Sequence, residues 1–537
     1  MVLPVKPYHA SMIELPDQYN ACQTFIDENV ERNPDRVAIR CEGQSYTYRQ
    51  MGEMVGRMGN ALQGLGVGLE DRVLLLLLDT PEFVASFFGA IRLGAVPVPV
   101  NTNMKPQDYE YFLNDSRAVA AIVSEPLLGQ IEPVRNNLRF LQHLLVAGGA
   151  GSQPASVQGD DAGFRGQDAR ATHNLDELLT KADTRCELAL TSKDDVCFWL
   201  YSSGTTGFPK GAVHLQHDAI CSTDTYAKDV LGVSPDDRLF SVAKLFFAYG
   251  LGNALNFPFR FGATSILHPG RPDPASIFDV IERERPTLFF GVPTAFAAML
   301  AAADERKPDL SSIRLAASAG EALPAAIYER WKERFGHEIL DGIGSTEILH
   351  IFISNRAGQV RPGSSGYVVP GYEAKLLDDD GQRVAQGDAG NLWVKGDSTC
   401  AYYWNKHERT KDTISGHWIR TGDKYHQDAD GYFFMEGRSD DMLKVGGIWV
   451  SPIEVEAALI AHEAVLECAV VGHQDKDELV KPRAFVVLKA GQTATAAELQ
   501  AFVKDRIAPY KYPRWIDFVD ELPKTATGKI QRYRLRT

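Results

Sequence analysis

Tyr201-Ser202-Ser203-Gly204-Thr205-Thr206-Gly207-Phe208-Pro209-Lys210-Gly211 stands directly after a short apolar run, Val196-Cys197-Phe198-Trp199-Leu200, that reads as a buried strand. Its glycines, Gly204, Gly207 and Gly211, take positive φ without a Cβ penalty and turn backbone N–H groups toward one point. Ser202, Ser203, Thr205 and Thr206 add hydroxyl donors, and Lys210 adds a full positive charge. A strand feeding such a loop is suited to hold a polyphosphate. The order G-x-x-x-x-G-K-[ST] of a Walker A loop occurs nowhere in the chain. The same residue types also make an ordinary Gly/Ser surface turn; the ordering of the whole stretch favours the anion site.

Outward from this loop lie Asp341-Gly342-Ile343-Gly344-Ser345-Thr346-Glu347, Arg420-Thr421-Gly422-Asp423, Gly437-Arg438-Ser439-Asp440-Asp441 and Pro523-Lys524-Thr525-Ala526-Thr527-Gly528-Lys529. With the loop itself, these resemble in order the motifs of the adenylate-forming superfamily, which includes acyl- and aryl-CoA ligases, amino-acid adenylation domains and firefly-type luciferases. The resemblance covers nearly the whole chain. Lys244-Leu245-Phe246-Phe247-Ala248-Tyr249-Gly250-Leu251-Gly252-Asn253 is similar to benzoate-CoA ligases in particular.

At 537 residues the chain is too long for one core. The N-terminus, Met1 to Pro7, has no apolar h-region, so no secretory signal is expected. No apolar run, Val73 to Leu78 included, approaches the ~20 residues of a membrane span. Seven cysteines without a C-x-x-C pair argue for reduced thiols and a cytoplasmic protein, against a disulfide framework or a zinc site. A net charge of −14 disfavours nucleic acid as a partner. From Lys504 onward, however, nine Lys/Arg face four Asp/Glu, which reads either as a solvated face or as a docking surface for an anionic partner.

Patterning fills in the architecture. Asn20 to Asn33 reads as a helix, Ala38–Cys41 and Gln44–Tyr46 as a strand pair about Glu42-Gly43, and Thr47 with Gln50 as a capping box opening a helix from Tyr48 to about Leu65. Strand Val73–Leu78, helix Pro81–Leu93 and strand Ala95–Val100 set a βαβ rhythm and predict a parallel, helix-covered sheet. Residues 148–173, rich in Gly, Ser, Gln and Asp, read as a mobile surface insertion. Strands at Thr264–Leu267, Leu288–Phe290 and Arg314–Ala317 alternate with helices, one carrying Leu323, Ile327, Trp331 and Phe335 on a single stripe before Gly336. Gly363 to Tyr403 reads as a small β subdomain. Ser451-Pro452-Ile453-Glu454 opens a helix, and strands Leu466–Val471 and Ala484–Leu488 and helix Glu498–Ile507 follow. The expected fold class is thus α/β and α+β. A large N-terminal domain of helix-covered parallel sheets with a small β subdomain (1–436) joins a mobile C-terminal α+β lid (442–537) through a hinge at 437–441.

The resemblance implies site roles residue by residue. Ser202, Ser203, Gly204, Thr205, Thr206, Gly207 and Lys210 would hold ATP, with Thr205, Thr206 and Lys210 on the β- and γ-phosphates. Asp341, Gly342, Ile343, Ser345 and Thr346 would line the nucleotide site. Glu347, with Thr205, would ligate Mg²⁺, since one carboxylate plus phosphate oxygens suits this hard ion. Asp423 would bind the ribose hydroxyls, Arg438 the ribose or phosphate region, and Lys529 would bridge the carboxylate and the α-phosphate. Asp423 also suits a plain turn and Arg438 a surface ion pair. The family carries an aromatic where this chain has Ile343, which leaves the adenine-stacking contact open there. Ala248, Tyr249, Gly250, Gly320, Gly344 and His350 would form the acyl pocket. Lys444, Gly446 and Gly447 would line a tunnel for coenzyme A after the lid turns about Asp440.

The implied activity is ATP-dependent conversion of benzoate to benzoyl-CoA through an adenylate, by a monomer or homodimer with no membrane partner. Hydroxybenzoate or another small aryl acid, or the loading of a separate carrier protein, are the alternatives; a silent regulatory paralogue would not need Lys210, Glu347, Asp423, Arg438 and Lys529 together. No carrier module is expected after Lys529. Amino-acid adenylation domains commonly show F-D-x-S where this chain has Phe247-Ala248-Tyr249-Gly250. Without that carboxylate a buried substrate ammonium would be unpaired, which makes an amino acid an unfavourable substrate.

Overall fold

The computed structural model describes residues 13–148, 171–202, 209–438, 441–445, 448–475, 479–524 and 530–536. Among these, six strands in the order Ile339–Gly344, Leu315–Ser318, Leu288–Gly291, Arg238–Ser241, Thr264–Leu267 and Val37–Cys41 pair in parallel, flanked by antiparallel strands to make a nine-stranded sheet. A second sheet, Val96–Pro99, Arg72–Leu76, Ala120–Ser124, His143–Ala147 and Ala171–Asn174, is parallel throughout. Parallel strands need crossovers, and the intervening helices cover the sheets.

Local chemistry sets the element ends. Thr47 accepts from the Gln50 N–H while the Gln50 side chain accepts from the Thr47 N–H, the reciprocal pair that fixes the start of helix Tyr48–Gly64. Helix Ala325–Phe335 ends at Gly336, whose φ is +77°. Its stripe packs inward: Trp331 is fully buried, edge-on to Phe296 at 4.8 Å between ring centroids. A buried tryptophan in such a cluster typically contributes about 3–5 kcal/mol.

Two sequence-based boundaries shift. Of the insertion read at 148–173, residues 171–173 belong to strand Ala171–Asn174, which adds to the edge strand His143–Ala147; residues 149–170 lie outside the described set. A four-residue polar edge strand shows no period of its own. The β subdomain is a five-stranded antiparallel sheet built from Glu373–Leu377, Gly390–Lys395, Ile414–Ser415, Trp418–Gln427 and Phe433–Arg438, so it runs well past Tyr403. Tyr367–Val368 and Tyr402–Tyr403, inside the expected span, instead join other sheets. In the expected hinge, Gly437 and Arg438 are strand residues opposite Lys424 and Asp423; Ser439 and Asp440 lie outside the described residues.

The C-terminal domain packs helices Pro452–Ile460 and Ala496–Lys504 with a sheet of Val465–Gln474, Val480–Leu488 and Trp515–Phe518. Helix Ala496–Lys504 starts earlier than expected because Thr495 and Glu498 form a capping box. All seven cysteines are free and buried. Among the described residues no helix is long and apolar enough to cross a membrane.

Candidate active site

Strands Val196–Ser202 and Lys210–Leu215 form an antiparallel pair with Ser202 opposite Lys210, which fixes both ends of the Gly/Ser/Thr loop. Residues 203–208 themselves, including Ser203, Gly204, Thr205, Thr206 and Gly207, lie outside the described residues. Both ends of the loop meet Glu347. Its Oε1 accepts from Ser202 Oγ at 3.1 Å and from the Tyr403 hydroxyl at 2.8 Å, and lies 3.6 Å from Lys210 Nζ. Lys210 Nζ also sits 4.2 Å over the Tyr403 ring. Burial raises the Glu347 carboxyl, but Lys210, Tyr403 and Ser202 more than offset this and hold it below its ordinary range. Burial lowers the Lys210 ammonium; Glu347 opposes that, while Arg409 and Arg438 add to it.

The turn that carries Glu347 is held from below. Its backbone carbonyl accepts from the Cys400 N–H at 2.7 Å. His214 Nε2 lies 2.9 Å from the Thr346 carbonyl, and His214 Nδ1 lies 2.8 Å from Asp218 Oδ2; both side chains are fully buried. Such a ring tied at both nitrogens fixes the height of the turn.

Across the crevice Asp423 and Arg438 oppose each other on neighbouring strands, with Arg438 Nη1 3.2 Å from Asp423 Oδ1. Asp341 lies at the foot of strand Ile339–Gly344, buried, its Oδ2 accepting from the Leu323 N–H at 3.3 Å. This bond ties the loop containing Gly320 to the strand that ends in Gly344. Ile343, half-buried, pairs with Ile353 on the next strand. Gly342 packs under the Ile353 carbonyl, 2.7 Å from the position a Cβ would take.

Burial pushes the Asp341 carboxyl up to about 8. Such a group keeps its proton in the fold while the unfolded chain releases it, so stability falls as pH rises from the ordinary carboxylate range toward 8. Asp341→Asn is expected to remove that slope in the ligand-free protein. Melting temperatures should diverge in the variant's favour as pH rises; parallel profiles would refute the assignment.

The residues expected to form the acyl pocket lie at or beyond the C-terminal ends of strands Arg238–Ser241, Leu315–Ser318 and Ile339–Gly344, the side of the sheet where α/β folds place ligands. Tyr249 donates its hydroxyl to the Ala317 carbonyl at 3.2 Å, and its ring lies 5.5 Å from that of His350. Gly250 and Gly344 are required by close approach: a Cβ would meet the Lys244 carbonyl oxygen at 2.1 Å and that of His350 at 2.6 Å respectively. His350 is buried, its Nε2 3.1 Å from Asn253 Oδ1, and its ring packs beside Tyr226 and Phe257. Burial lowers its pKa to about 3, so the ring is neutral at physiological pH. Ala248 opens the short helix Ala248–Leu251 beside them, also buried.

Residues 26–404 match the model of the AMP-binding enzyme family, and residues 454–529 match that of the AMP-binding enzyme C-terminal domain. The chain belongs to the AMP-binding enzyme family. It is 50% identical to a benzoate–CoA ligase of Thauera aromatica over 98% of this chain and 97% of that protein. Among solved structures it is similar to an anthranilate CoA ligase in complex with anthranoyl-AMP (TM-score 0.91, 45% identity, 97% of each chain). It is also similar to a benzoate CoA ligase from Burkholderia xenovorans (TM-score 0.87, 46% identity, 97% of this chain and 100% of that one).

In this AMP-binding enzyme the C-terminal domain is docked against the crevice. The Ile530 N–H donates to Glu321 Oε1, beside Gly320, at 2.9 Å. Lys529, Gly446, Gly447 and Asp440 lie outside the described residues, and Lys444 is described only as part of strand Leu443–Val445. The basic tail is less free than its composition implies. Lys511 pairs with Glu454, Lys524 with Glu467, Arg532 with Glu456 and Arg536 with Asp441, all acids outside the tail. Tyr403, Arg409, His214, Asp218 and Glu321 were not singled out by sequence. None carries a local signature: Tyr403 arrives by strand pairing with residues 212 and 213, Glu321 by a contact with the C-terminal domain, and buried Asp218 acts only through His214.

Proposed function

We propose that this AMP-binding enzyme is an aromatic acid:CoA ligase that joins benzoate to coenzyme A with cleavage of ATP to AMP and pyrophosphate. A benzoate oxygen attacks the α-phosphorus and pyrophosphate leaves, giving benzoyl-adenylate. The thiol sulfur of coenzyme A then attacks the acyl carbon, AMP leaves and the thiol proton is released. The observation that carries the reading is the 50% identity, over nearly the full length, to the Thauera benzoate–CoA ligase, and the site chemistry supports it. Lys210, Arg409 and Arg438 offer positive charge where phosphates accumulate negative charge, the largest kind of catalytic term. The pocket wall of Ala248, Tyr249 and neutral His350, with two glycines, suits a flat uncharged ring.

In this reading Lys210, Ser202 and the loop at 203–207 hold the phosphates. Asp423 takes the ribose hydroxyls, with Arg438 beside it. Asp341, Gly342, Ile343, Ser345 and Thr346 flank the nucleotide. Glu347, with Thr205, would hold Mg²⁺; a single-carboxylate donor set fits an ion that keeps most of its sphere for phosphate and water. When bound, that ion supplies charge compensation to the leaving pyrophosphate. Lys529 acts in adenylation. The lid, 442–537, turns about Asp440 in the 437–441 hinge so that Lys444, Gly446 and Gly447 face the pantetheine arm. Use of ATP and coenzyme A accords with a cytoplasmic enzyme. A ligase for 2-aminobenzoate is the second reading, favoured by the similar structure that holds anthranoyl-AMP, and one for a hydroxybenzoate is favoured by a Rhodopseudomonas palustris 4-hydroxybenzoate–CoA/benzoate–CoA ligase, 44% identical over 96% of this chain.

Pyrophosphate release, with and without coenzyme A, across benzoate, hydroxybenzoates, 2-aminobenzoate and fatty acids tests both. Highest kcat/KM for benzoate, with thioester formed only when coenzyme A is present, is the expected result. A fatty acid as best substrate, or product formation only with a carrier protein, would overturn the reading.

A further inference from the structure

Lys524 and Ile530, which flank residues 525–529, form an isolated antiparallel bridge, and the Gln531 N–H donates to the Pro523 carbonyl at 2.8 Å. The bridged residues are fastened to their own domain. Lys524 Nζ lies 2.6 Å from Glu467, and Arg532 makes contacts of 2.7, 3.0 and 3.2 Å to the buried Glu456. Across the domain boundary, the Ile530 N–H donates to Glu321 Oε1 on the N-terminal domain. Arg532 is held protonated first by Glu456, with Glu321 adding to the effect.

We infer that Glu321 is a positioning residue for adenylation: it grips Ile530, at the base of the segment that carries Lys529, and favours the lid orientation in which the first half-reaction occurs. This rests on the ligase reading above and on the role given there to Lys529. Glu321 is only partly buried, so water replaces the Ile530 N–H when the lid leaves. The Arg532–Glu456 pair lies wholly within the lid and travels with it. The grip is therefore breakable, as a two-orientation lid requires: it is one hydrogen bond to a charged acceptor, supplemented by the weaker pull of Glu321 on Arg532.

The test measures the half-reactions separately in the full chain: adenylate formation from acid and ATP, and thioester formation from supplied benzoyl-adenylate and coenzyme A. Glu321→Ala should slow the first by about 5- to 10-fold, on the order of 1 to 1.4 kcal/mol, and leave the second unchanged or faster, because the competing orientation gains population. Glu321→Gln keeps an oxygen for the Ile530 N–H and should stay within about twofold of wild type. Equal loss in both half-reactions, no loss in the first, or Glu321→Gln as impaired as Glu321→Ala would overturn the inference while the ligase reading stands. A wild-type protein that forms no aryl-adenylate would sink both.

Discussion

Replacing Glu347 by glutamine is expected to lower adenylate formation by about 10²–10³-fold, the usual scale for removing one pre-organised electrostatic group. The substitution is nearly isosteric, and the new amide oxygen can still accept from Ser202 and Tyr403. What it removes is charge. Lys210 then keeps its buried position over Tyr403 without the carboxylate 3.6 Å away, and the proposed Mg²⁺ site loses its protein anion. Single-turnover adenylate formation measured against Mg²⁺ concentration separates the two effects. Loss of metal affinity moves the half-saturating concentration upward, whereas disturbance of Lys210 lowers the plateau at saturating Mg²⁺. A variant with wild-type rate and wild-type Mg²⁺ dependence would remove Glu347 from the proposal.

The second large effect is assigned to Lys529. Lys529→Ala is expected to reduce adenylation by about 10²–10⁴-fold, the range for one group acting in a single transition state. Thioester formation from supplied benzoyl-adenylate should be spared, since that step uses the other lid orientation. Equal loss in both half-reactions would refute the division of labour. Lys529 and Glu321 also differ in kind. Loss of the first removes a group from the reacting atoms, and loss of the second only shifts how often the lid is in place.

Local features were read well from sequence because their partners lie within a few residues. The Thr47–Gln50 box, the Ser451 cap accepting from the Glu454 N–H, and the Trp331 stripe are examples. The parallel sheets followed from the strand–helix rhythm. The strand Ala171–Asn174 escaped because an edge strand that is half solvated carries no apolar run. The β subdomain was cut short at Tyr403 because strand Trp418–Gln427 is interrupted by Thr421-Gly422, residue types that read as a turn.

For the site, the motif residues Ser202, Lys210 and Glu347 are brought together, as are Asp423 and Arg438. Tyr403 was out of reach for a different reason. It arrives beside Glu347 only because strand Tyr402–Tyr403 pairs with Ala212 and Val213, nearly two hundred residues earlier in the chain. His214 is four residues from Lys210 yet points its chemistry at Thr346, a contact no local pattern announces.

The ion pairs Lys511–Glu454, Lys524–Glu467 and Arg532–Glu456 are internal to the C-terminal domain, and Arg536–Asp441 ties it to the last residue of the expected hinge. A swing of that domain therefore carries its charges along already matched, and none of these attractions has to be broken and remade in transit. Ionic strength then has little leverage over these contacts during the swing, and the balance between lid orientations is left to short-range contacts and to whichever substrate occupies the cleft.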